Sequence, residues 1–215
     1  MIYLYAITDA LAPPAGVTGL EDAPLQTLEA GALAGVYTTH EGLEFNPEPS
    51  LLWRHDQVIE QLMEMGAALP LRFGTVLEHN DQLRAILLRE QDRFRSMLER
   101  VRGCVELAVR VGLPPEPEAP VTDGAAYMQT KLAAQRERER VASGVLAPLR
   151  ELATATSARK PLGNGGVVSE SYLVKRDVVE PFVATVKELQ AQHEGLAVSC
   201  TGPWGPYSFV DEVER

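Results

Sequence analysis

The four histidines and two cysteines are the side chains with most capacity for metal or acid–base chemistry, and their spacing argues against both. The histidines lie far apart, without a second metal ligand three or four residues away: His40, His55, His79 and His193. The sequence has no HExxH segment, and Cys104 and Cys200 are too widely separated to form a zinc signature. We therefore expect no metal site, no cofactor and no enzymatic activity.

A glycine-rich run and the hydroxyl side chains offer no clearer chemistry. The run Gly163–Gly166 could present backbone amides to a phosphate, but it lacks the Lys-Ser/Thr of a P-loop and precedes a predicted strand. A tight turn is the favoured interpretation. No G-x-S-x-G segment occurs, and no Ser, Thr or Cys has an adjacent base in the sequence.

Two segments are unusual for another reason. Leu69–Leu77 places Arg72 within an otherwise apolar strand pattern, and Gly202–Val210 concentrates aromatic residues among prolines and glycines. These aromatic residues are Trp204, Tyr207 and Phe209. They either pack on the core, which physical arguments alone favour, or bind another protein, since Trp and Tyr are enriched at interfaces. We name these three residues as candidate partner-binding residues.

Three further residues are candidates for structural roles. His55 lies on the apolar face of a predicted helix, where a buried or capping histidine is favoured over a ligand or base. Glu90 lies within the apolar stripe of another predicted helix, and a core carboxylate needs a cationic partner. The pattern makes Arg72 the nearest candidate, a hypothesis that wide separation of the two side chains would remove.

The first half of the chain alternates strands and helices. Apolar and β-branched runs predict strands, helical spacing of apolar residues predicts helices, and Gly74 predicts a bend in the third strand. The expected strands cover residues 2–7, 35–39 and 69–77, and the expected helices cover 51–66 and 81–100.

The second half predicts a strand, a long helix, a strand, a helix and a strand, over residues 104–111, 123–156, 167–174, 177–193 and 196–201. A proline-rich loop over 113–122 precedes the long helix, and a turn cluster over 160–166 follows it. Gly144 and Pro148 predict a kink or break in the long helix. Its charged middle, 135–140, is expected to project into water.

This order of elements predicts an α+β protein with two domains. Residues 1–112 are expected to form an N-terminal α/β domain, and residues 113–215 a C-terminal ferredoxin-like domain with helices on one face of its sheet. The length of 215 residues allows either one large or two small domains.

The composition is that of a globular protein with a strong acidic excess. Apolar residues make up 45% and charged residues 23%, and thirty acidic against twenty basic residues give a formal charge of −10. This field repels phosphate backbones and anionic membrane surfaces. No apolar run is long enough to span a bilayer, and the first residues lack a signal-peptide pattern. We therefore expect a cytoplasmic protein without nucleic-acid or membrane partners.

The unusual segments also carry a family resemblance. The chain resembles the gas vesicle GvpF/GvpL family in segments that cover nearly its whole length and follow the family's order: Tyr3–Ile7, His55 ahead of an apolar helix, Leu69–Val76, Tyr127–Lys131 and Gly202–Val210. The longest matches read L-P-L-R-F-G-T-V and G-P-W-G-P-Y-S-F-V. One departure is Gly205, where the family typically has a second proline, so the rigidity of that segment is open.

The resemblance implies an accessory protein of gas vesicle assembly, located in the cytoplasm and at the gas vesicle. It implies binding to the shell protein GvpA and to other Gvp proteins, which would limit aggregation of shell subunits during nucleation. It also implies an N-terminal α/β domain and a C-terminal modified ferredoxin-like domain, and no catalytic residues. Two alternatives stay open: a minor structural component of the vesicle wall, and a ferredoxin-like small-molecule enzyme with His55 or Arg72 in a pocket.

Overall fold

A computed structural model describes residues 1–9, 16–42, 48–112, 124–159, 167–193 and 195–210. The proline-rich loop expected over 113–122 and the turn cluster expected over 160–166 lie outside these ranges. The elements combine helices with antiparallel strand pairs, which confirms the α+β class. Among the described residues, no helix combines the length and apolar character that crossing a membrane requires.

The chain divides into two units. The first comprises Met1–Val105 together with the segment that starts at Trp204, and the second comprises Glu106–Pro203. The division expected from the sequence was 1–112 and 113–215, whereas described residues 204–210 belong to the first unit. The boundary at residue 112 itself stays a prediction.

The sheet of the first unit is built around its first strand. Its strands are β1 (Ile2–Asp9), β2 (Gln26–Ala30), β3 (Leu33–Thr39), β4 (Ala68–Pro70) and β5 (Val76–Leu77). The order is β2-β3-β1-β4, and β5 also pairs with β1; all these pairs are antiparallel. The central position of β1 explains why its sequence is a nearly continuous apolar run.

Sequence analysis missed β2 and treated β4 and β5 as one strand. Strand β2 is a short edge strand in which only Leu28 and Ala30 are buried, so its pattern is weak. The segment between β4 and β5 leaves the sheet in a turn, where Thr75 N–H donates to the Arg72 carbonyl at 3.1 Å. Gly74 adopts a φ of 83°, a left-handed conformation that favours glycine. The predicted bend at Gly74 is thus a complete turn.

Three helices cover this sheet: α1 (Pro49–Met65), α2 (Asn80–Arg89) and α3 (Gln91–Val101). Gly35 of β3 contacts Leu83 of α2, whereas the adjacent Val36 belongs to the apolar cluster that α1 completes. Because adjacent residues of a strand point to opposite faces, α1 and α2 lie on opposite faces of the sheet.

The single helix expected over 81–100 is interrupted at Glu90. This residue ends α2 and precedes α3, with a φ of −101°. Its carboxylate is partly exposed and pairs with Arg89 at 2.9 Å and Arg93 at 3.5 Å. The expected pairing with Arg72 was therefore wrong, because the helix break brings two closer guanidinium groups to this carboxylate.

The second unit has the strand-helix-strand-strand-helix-strand order of a ferredoxin-like domain. Most residues of the following elements lie in it: β6 (Cys104–Gly112), α4 (Gly124–Arg140), α5 (Ala147–Glu151), β7 (Ala155–Arg159), β8 (Val167–Lys175), α6 (Val179–Gln192) and β9 (Ala197–Trp204). The sheet order is β7-β8-β6-β9, and a cis peptide bond joins Gly202 to Pro203 in β9.

The predicted break in the long helix is confirmed. Helix α4 ends at Arg140, a π-helical turn spans Val141–Val145, and Pro148 lies in the first turn of α5. In the charged middle of the segment, Arg136, Glu137 and Arg140 are exposed, as expected. The residues that end the predicted helix instead begin β7.

A buried carboxylate ties α5 to β8 in this unit. Glu170 is 4% exposed and accepts from the Arg150 guanidinium at 3.0 Å and from the Tyr172 hydroxyl at 2.9 Å. Burial raises the pKa of Tyr172, so its hydroxyl keeps the proton that it donates. The ion pair and hydrogen bond offset the cost of burying this charge.

We expect Arg150→Met to lower the free energy of unfolding of the second unit by about 2 kcal/mol, because it leaves a buried carboxylate without its cation. Adding Glu170→Gln should recover most of this loss, since an amide oxygen still accepts from Tyr172 without a charge. Hydrogen exchange of the β8 amides measures both effects. Equal exchange rates in the single variant and the wild type would contradict the assignment.

Candidate functional site

His55 connects three elements of the first unit through hydrogen bonds. It lies on α1 and is 2% exposed. Its Nδ1 is 2.9 Å from the Tyr3 hydroxyl of β1, and its Nε2 is 2.9 Å from the Leu71 carbonyl after β4. The Tyr3 oxygen also accepts from the Gly74 N–H at 3.2 Å. Both ends of the turn between β4 and β5 are thus bonded to this pair.

The partners fix the positions of the protons. A carbonyl can only accept, so Nε2 of His55 carries the hydrogen that goes to Leu71. In a neutral imidazole Nδ1 is then the acceptor, and the Tyr3 O–H donates to it. Burial lowers the pKa of His55 and raises that of Tyr3, which keeps both groups neutral.

Among the described residues, four aromatic rings contact the His55 imidazole and surround it. Their centroids lie 5.4 to 6.4 Å from that of the imidazole: Tyr5 at 5.4 Å, Tyr3 at 5.7 Å, Phe73 at 5.9 Å and Tyr207 at 6.4 Å. Tyr5 and Tyr207 stack on the imidazole, whereas Tyr3 and Phe73 meet it edge to face. These rings come from β1, from the turn between β4 and β5, and from residues 204–210, which we call the C-terminal segment, so His55 lies where all three meet.

The C-terminal segment packs along α1. Gly205 lies so close to α1 that a Cβ there would be 2.9 Å from Ile59 Cγ2. The Tyr207 hydroxyl donates to Asp56 at 2.7 Å. Phe209 is 5% exposed and lies 6.0 Å from the Arg100 guanidinium, a distance typical of a cation–π contact. This packing explains why the segment belongs to the first unit.

The two unusual segments of the sequence line one cavity. Its volume is about 300 Å³, at the lower end of the range for ligand pockets. The turn contributes Leu71–Thr75, and the C-terminal segment contributes Tyr207 and Val210. The remaining described lining residues are apolar: Leu4, Ile7, Pro70, Val76, Leu77, Leu83 and Ile86.

The candidate site residues named from the sequence are only partly brought together. Arg72 lines the cavity as an exposed residue, Tyr207 lines it beside the His55 cluster, and Phe209 is buried nearby. Trp204 is 40% exposed, and neither it nor Glu90 is among the described lining residues. The partner-binding role of the three aromatic residues stays a prediction. Two of them, Tyr207 and Phe209, pack against the first unit.

Sequence analysis missed Tyr3 and the contribution of α2. The alternation of Tyr3 and Tyr5 in β1 was an available signal, because alternate strand residues share a face. Leu83 and Ile86 carried no signal beyond that of ordinary core residues. Among the described residues, no group of three or more His, Cys, Asp or Glu side chains is arranged to hold a metal ion.

Comparison with known proteins identifies relatives across the whole chain. The family model described as gas vesicle synthesis protein GvpL/GvpF matches residues 1–211. Gas vesicle protein L of Streptomyces sp. (strain CB03234) is 31% identical over 252 residues, covering 99% of this chain and 94% of the relative. Gas vesicle protein F2 of Halobacterium salinarum is 29% identical over 217 residues, covering 98% and 92%.

Two crystal structures have the same fold. GvpF from Anabaena sp. PCC7120 superimposes with a TM-score of 0.84 at 19% identity, over 100% of this chain and 97% of that one. GvpF from Microcystis aeruginosa gives 0.81 at 16% identity, over 97% and 98%. The structures show the shared fold, and the family model and the Streptomyces relative confirm the resemblance noted in the sequence.

We expect Tyr3→Phe to lower the free energy of unfolding of the first unit by about 1–3 kcal/mol, because it leaves His55 Nδ1 buried and unpaired. Urea unfolding followed by tryptophan fluorescence measures this, since both tryptophans, Trp53 and Trp204, belong to that unit. Tyr37→Phe is the control: it removes an acceptor of a partly exposed bond from Asn80. Equal losses in both variants would contradict the role of Tyr3.

The lowered pKa of His55 makes the stability of this unit depend on pH. Below about pH 6.5 the unfolded chain binds a proton at His55 that the folded chain does not yet bind. Stability is therefore lost as the pH falls from that value toward the folded pKa, by up to about 1.4 kcal/mol per pH unit. His55→Gln should reduce this slope, measured from urea unfolding at several pH values. His193→Gln, in the other unit, should not; equal slopes in wild type and His55→Gln would refute the prediction.

Proposed function

The chain belongs to the gas vesicle GvpL/GvpF family, and from that membership we propose that it is an accessory protein of gas vesicle assembly. In this proposal it acts in the cytoplasm and at the forming vesicle, without nucleic-acid or membrane partners. It binds the shell protein GvpA or other Gvp proteins and limits aggregation of shell subunits during nucleation. The names of its relatives support a role in gas vesicle formation.

The observation that carries the binding role is the convergence of the two unusual segments on one largely apolar cavity. Burial of apolar surface drives most protein association, and a cavity lined largely by apolar residues offers such surface to a partner. The hydrogen bonds of His55 to Tyr3 and Leu71 hold the cavity wall in place before a partner arrives. A preformed wall lowers the ordering cost of binding.

Exposed tryptophan supplies a second contact. Trp204 is 40% exposed, while the adjacent segment is fixed by Tyr207 and Phe209 against the first unit. A large aromatic side chain on an anchored segment has the properties of an interface hot spot. We therefore assign direct partner contact to Trp204, and assign to Tyr207 and Phe209 the positioning of this segment.

The acidic surface suits a factor that keeps another protein dispersed. Apolar surfaces on unassembled shell subunits are an aggregation hazard. A partner with a formal charge of −10 gives the complex a net charge that opposes further association. Charge repulsion between complexes would then persist until the subunit is transferred to the growing shell.

We expect this protein to capture its cognate GvpA from cells that express both, and Trp204→Ala/Tyr207→Ala to reduce the capture about tenfold or more. Trp53→Ala removes a 60% exposed tryptophan from α1 and is the control, which should retain capture. Far-UV circular dichroism, which does not rely on the fluorescence of the substituted tryptophans, checks that each variant is folded.

No capture of abundant, dispersed GvpA or of any other Gvp protein would refute the binding role. Stoichiometric amounts of the protein on washed vesicles would instead favour a structural component of the wall. If the folded double variant still captured GvpA, the contact would have to lie outside the C-terminal segment.

A further inference from the structure

Helix α1 has a second face, opposite the one that packs on the sheet. The inner face buries four residues, among them His55. Four exposed residues at spacings of four, three and four form a stripe along the other face: Trp53, Gln57, Glu60 and Glu64. Trp53 is 60% exposed, the largest fraction among the exposed large hydrophobic residues of the described chain. We call these four residues the outer stripe of α1.

The charges on the outer stripe are arranged against the stability of the helix. Glu60 and Glu64 are four residues apart, a spacing at which like charges repel each other on a helix surface. Glu64 also lies in the last turn of α1, where the helix dipole disfavours a carboxylate, and that turn contains no basic residue. Among the described residues, no hydrogen bond or ion pair reaches either carboxylate. A cation supplied by another molecule would relieve this repulsion.

A cavity lies beside the outer stripe. Its volume is about 270 Å³, large enough for one Lys or Arg side chain. Glu60 is the one acidic residue among the described residues that line it, and the amides of Gln57 and Gln61 line it as well. Arg54 also lines the cavity, but its guanidinium pairs with the Asp22 carboxylate at 3.4 Å. The cavity therefore offers oxygen acceptors and an unpaired carboxylate to a cationic donor.

Trp53 selects the same kind of ligand. It lies one helical turn before Gln57 on the outer stripe, about 6 Å away along the helix axis. The face of an indole ring attracts Lys and Arg cations, and its apolar area packs on the carbon chains of these residues. The formal charge of −10 steers cations toward the protein. The indole, the carboxylates and the amides thus all favour a cationic side chain.

We propose that the outer stripe of α1 binds a basic segment of a partner protein in which Lys or Arg lies near an apolar residue. One cation enters the cavity at Glu60, a second pairs with Glu64, and the apolar residue packs on Trp53. Trp53 and Glu64 are eleven residues apart, so the segment follows about 16 Å of the helix.

This contact goes beyond the proposed function and is separate from the one assigned to Trp204. Trp53→Ala should therefore weaken binding of the basic segment and still capture GvpA. The two proposals can fail independently, because binding of the basic segment can be tested without any Gvp protein.

The test selects random dodecapeptides, displayed on phage, on the immobilised full chain and in parallel on Glu60→Gln/Glu64→Gln. We expect the wild type, and not the double variant, to enrich peptides that combine Lys or Arg with a nearby apolar residue. A fluorescein-labelled synthetic peptide of the commonest sequence then gives the dissociation constant by fluorescence polarisation. Binding should weaken as the ionic strength rises, because salt screens contacts between exposed charges.

Matched charge variants separate the outer stripe from the general acidity of the chain. Glu60→Gln/Glu64→Gln should weaken peptide binding about tenfold or more. Glu151→Gln/Glu188→Gln makes the same charge change at exposed residues of the second unit and should alter binding less than about twofold.

A matched pair of apolar truncations tests the role of the indole. Trp53→Ala should weaken peptide binding about threefold to fivefold, because it removes the cation–π contact. Leu88→Ala, at a 55% exposed residue of α2, should leave binding unchanged.

Glu64→Lys distinguishes loss of the site from loss of the fold. It removes the like-charge pair and places a cation in the last turn of α1, so it should raise the urea midpoint of the first unit. Tryptophan fluorescence reports this midpoint, since Trp53 and Trp204 both belong to that unit. The same variant should weaken peptide binding about tenfold. Weaker binding by a more stable variant would not result from misfolding.

Several results would overturn the proposal. They are recovery of no peptide, a consensus without Lys or Arg, equal effects of the two double variants, and binding of spermine without binding of any peptide. A dimer that Glu60→Gln/Glu64→Gln abolishes, without peptide binding, would instead assign the outer stripe to a second copy of this chain. Peptide binding without capture of any Gvp protein would refute the proposed function alone, and capture of GvpA without peptide binding would refute this proposal alone.

Discussion

The hydrogen bond between Tyr3 and His55 is the interaction on which the candidate site depends. It joins the central strand to α1, and through Leu71 and Gly74 it fixes the turn that forms one wall of the cavity. The direction of each of these hydrogen bonds is determined, because a carbonyl cannot donate and a buried imidazole is neutral. Tyr3 and His55, which are not among the described lining residues of the cavity, thus hold in place Leu71 and Gly74, which are.

The C-terminal segment completes this arrangement from the other side. Tyr207 both stacks on His55 and donates to Asp56, while Phe209 is buried beside Arg100. Of the two expectations for the aromatic segment, packing on the core applies to Tyr207 and Phe209, and contact with a partner stays a prediction. Packing occupies Tyr207 and Phe209, and exposure is left to Trp204. A segment that is anchored in this way presents its exposed aromatic side chain without the entropy cost of a free tail.

Local sequence patterns predicted most elements, because apolar periodicity and turn residues act over a few residues. They predicted β1, α1, α6 and the break in the long helix at Gly144 and Pro148. They failed where the signal was short or the deciding interaction was distant. Strand β2 has two buried residues, and the helix break at Glu90 occurs in a segment whose apolar periodicity continues across it. The partners of Glu90 were mistaken for the same reason, since sequence pattern does not give the distance between side chains.

The sequence by itself determined the α+β class, the acidic surface, the family resemblance and the two segments that carry the candidate site. These follow from composition, short-range periodicity and contiguous motifs, which are properties of the linear chain. The tertiary structure alone decided that residues from opposite ends of the chain share one cavity and that His55 joins them. Such contacts depend on strand order and on the return of the chain to the first unit. Strand order and the return of the chain are set by the packing of the whole fold, because apolar side chains are buried by residues that are distant in the sequence.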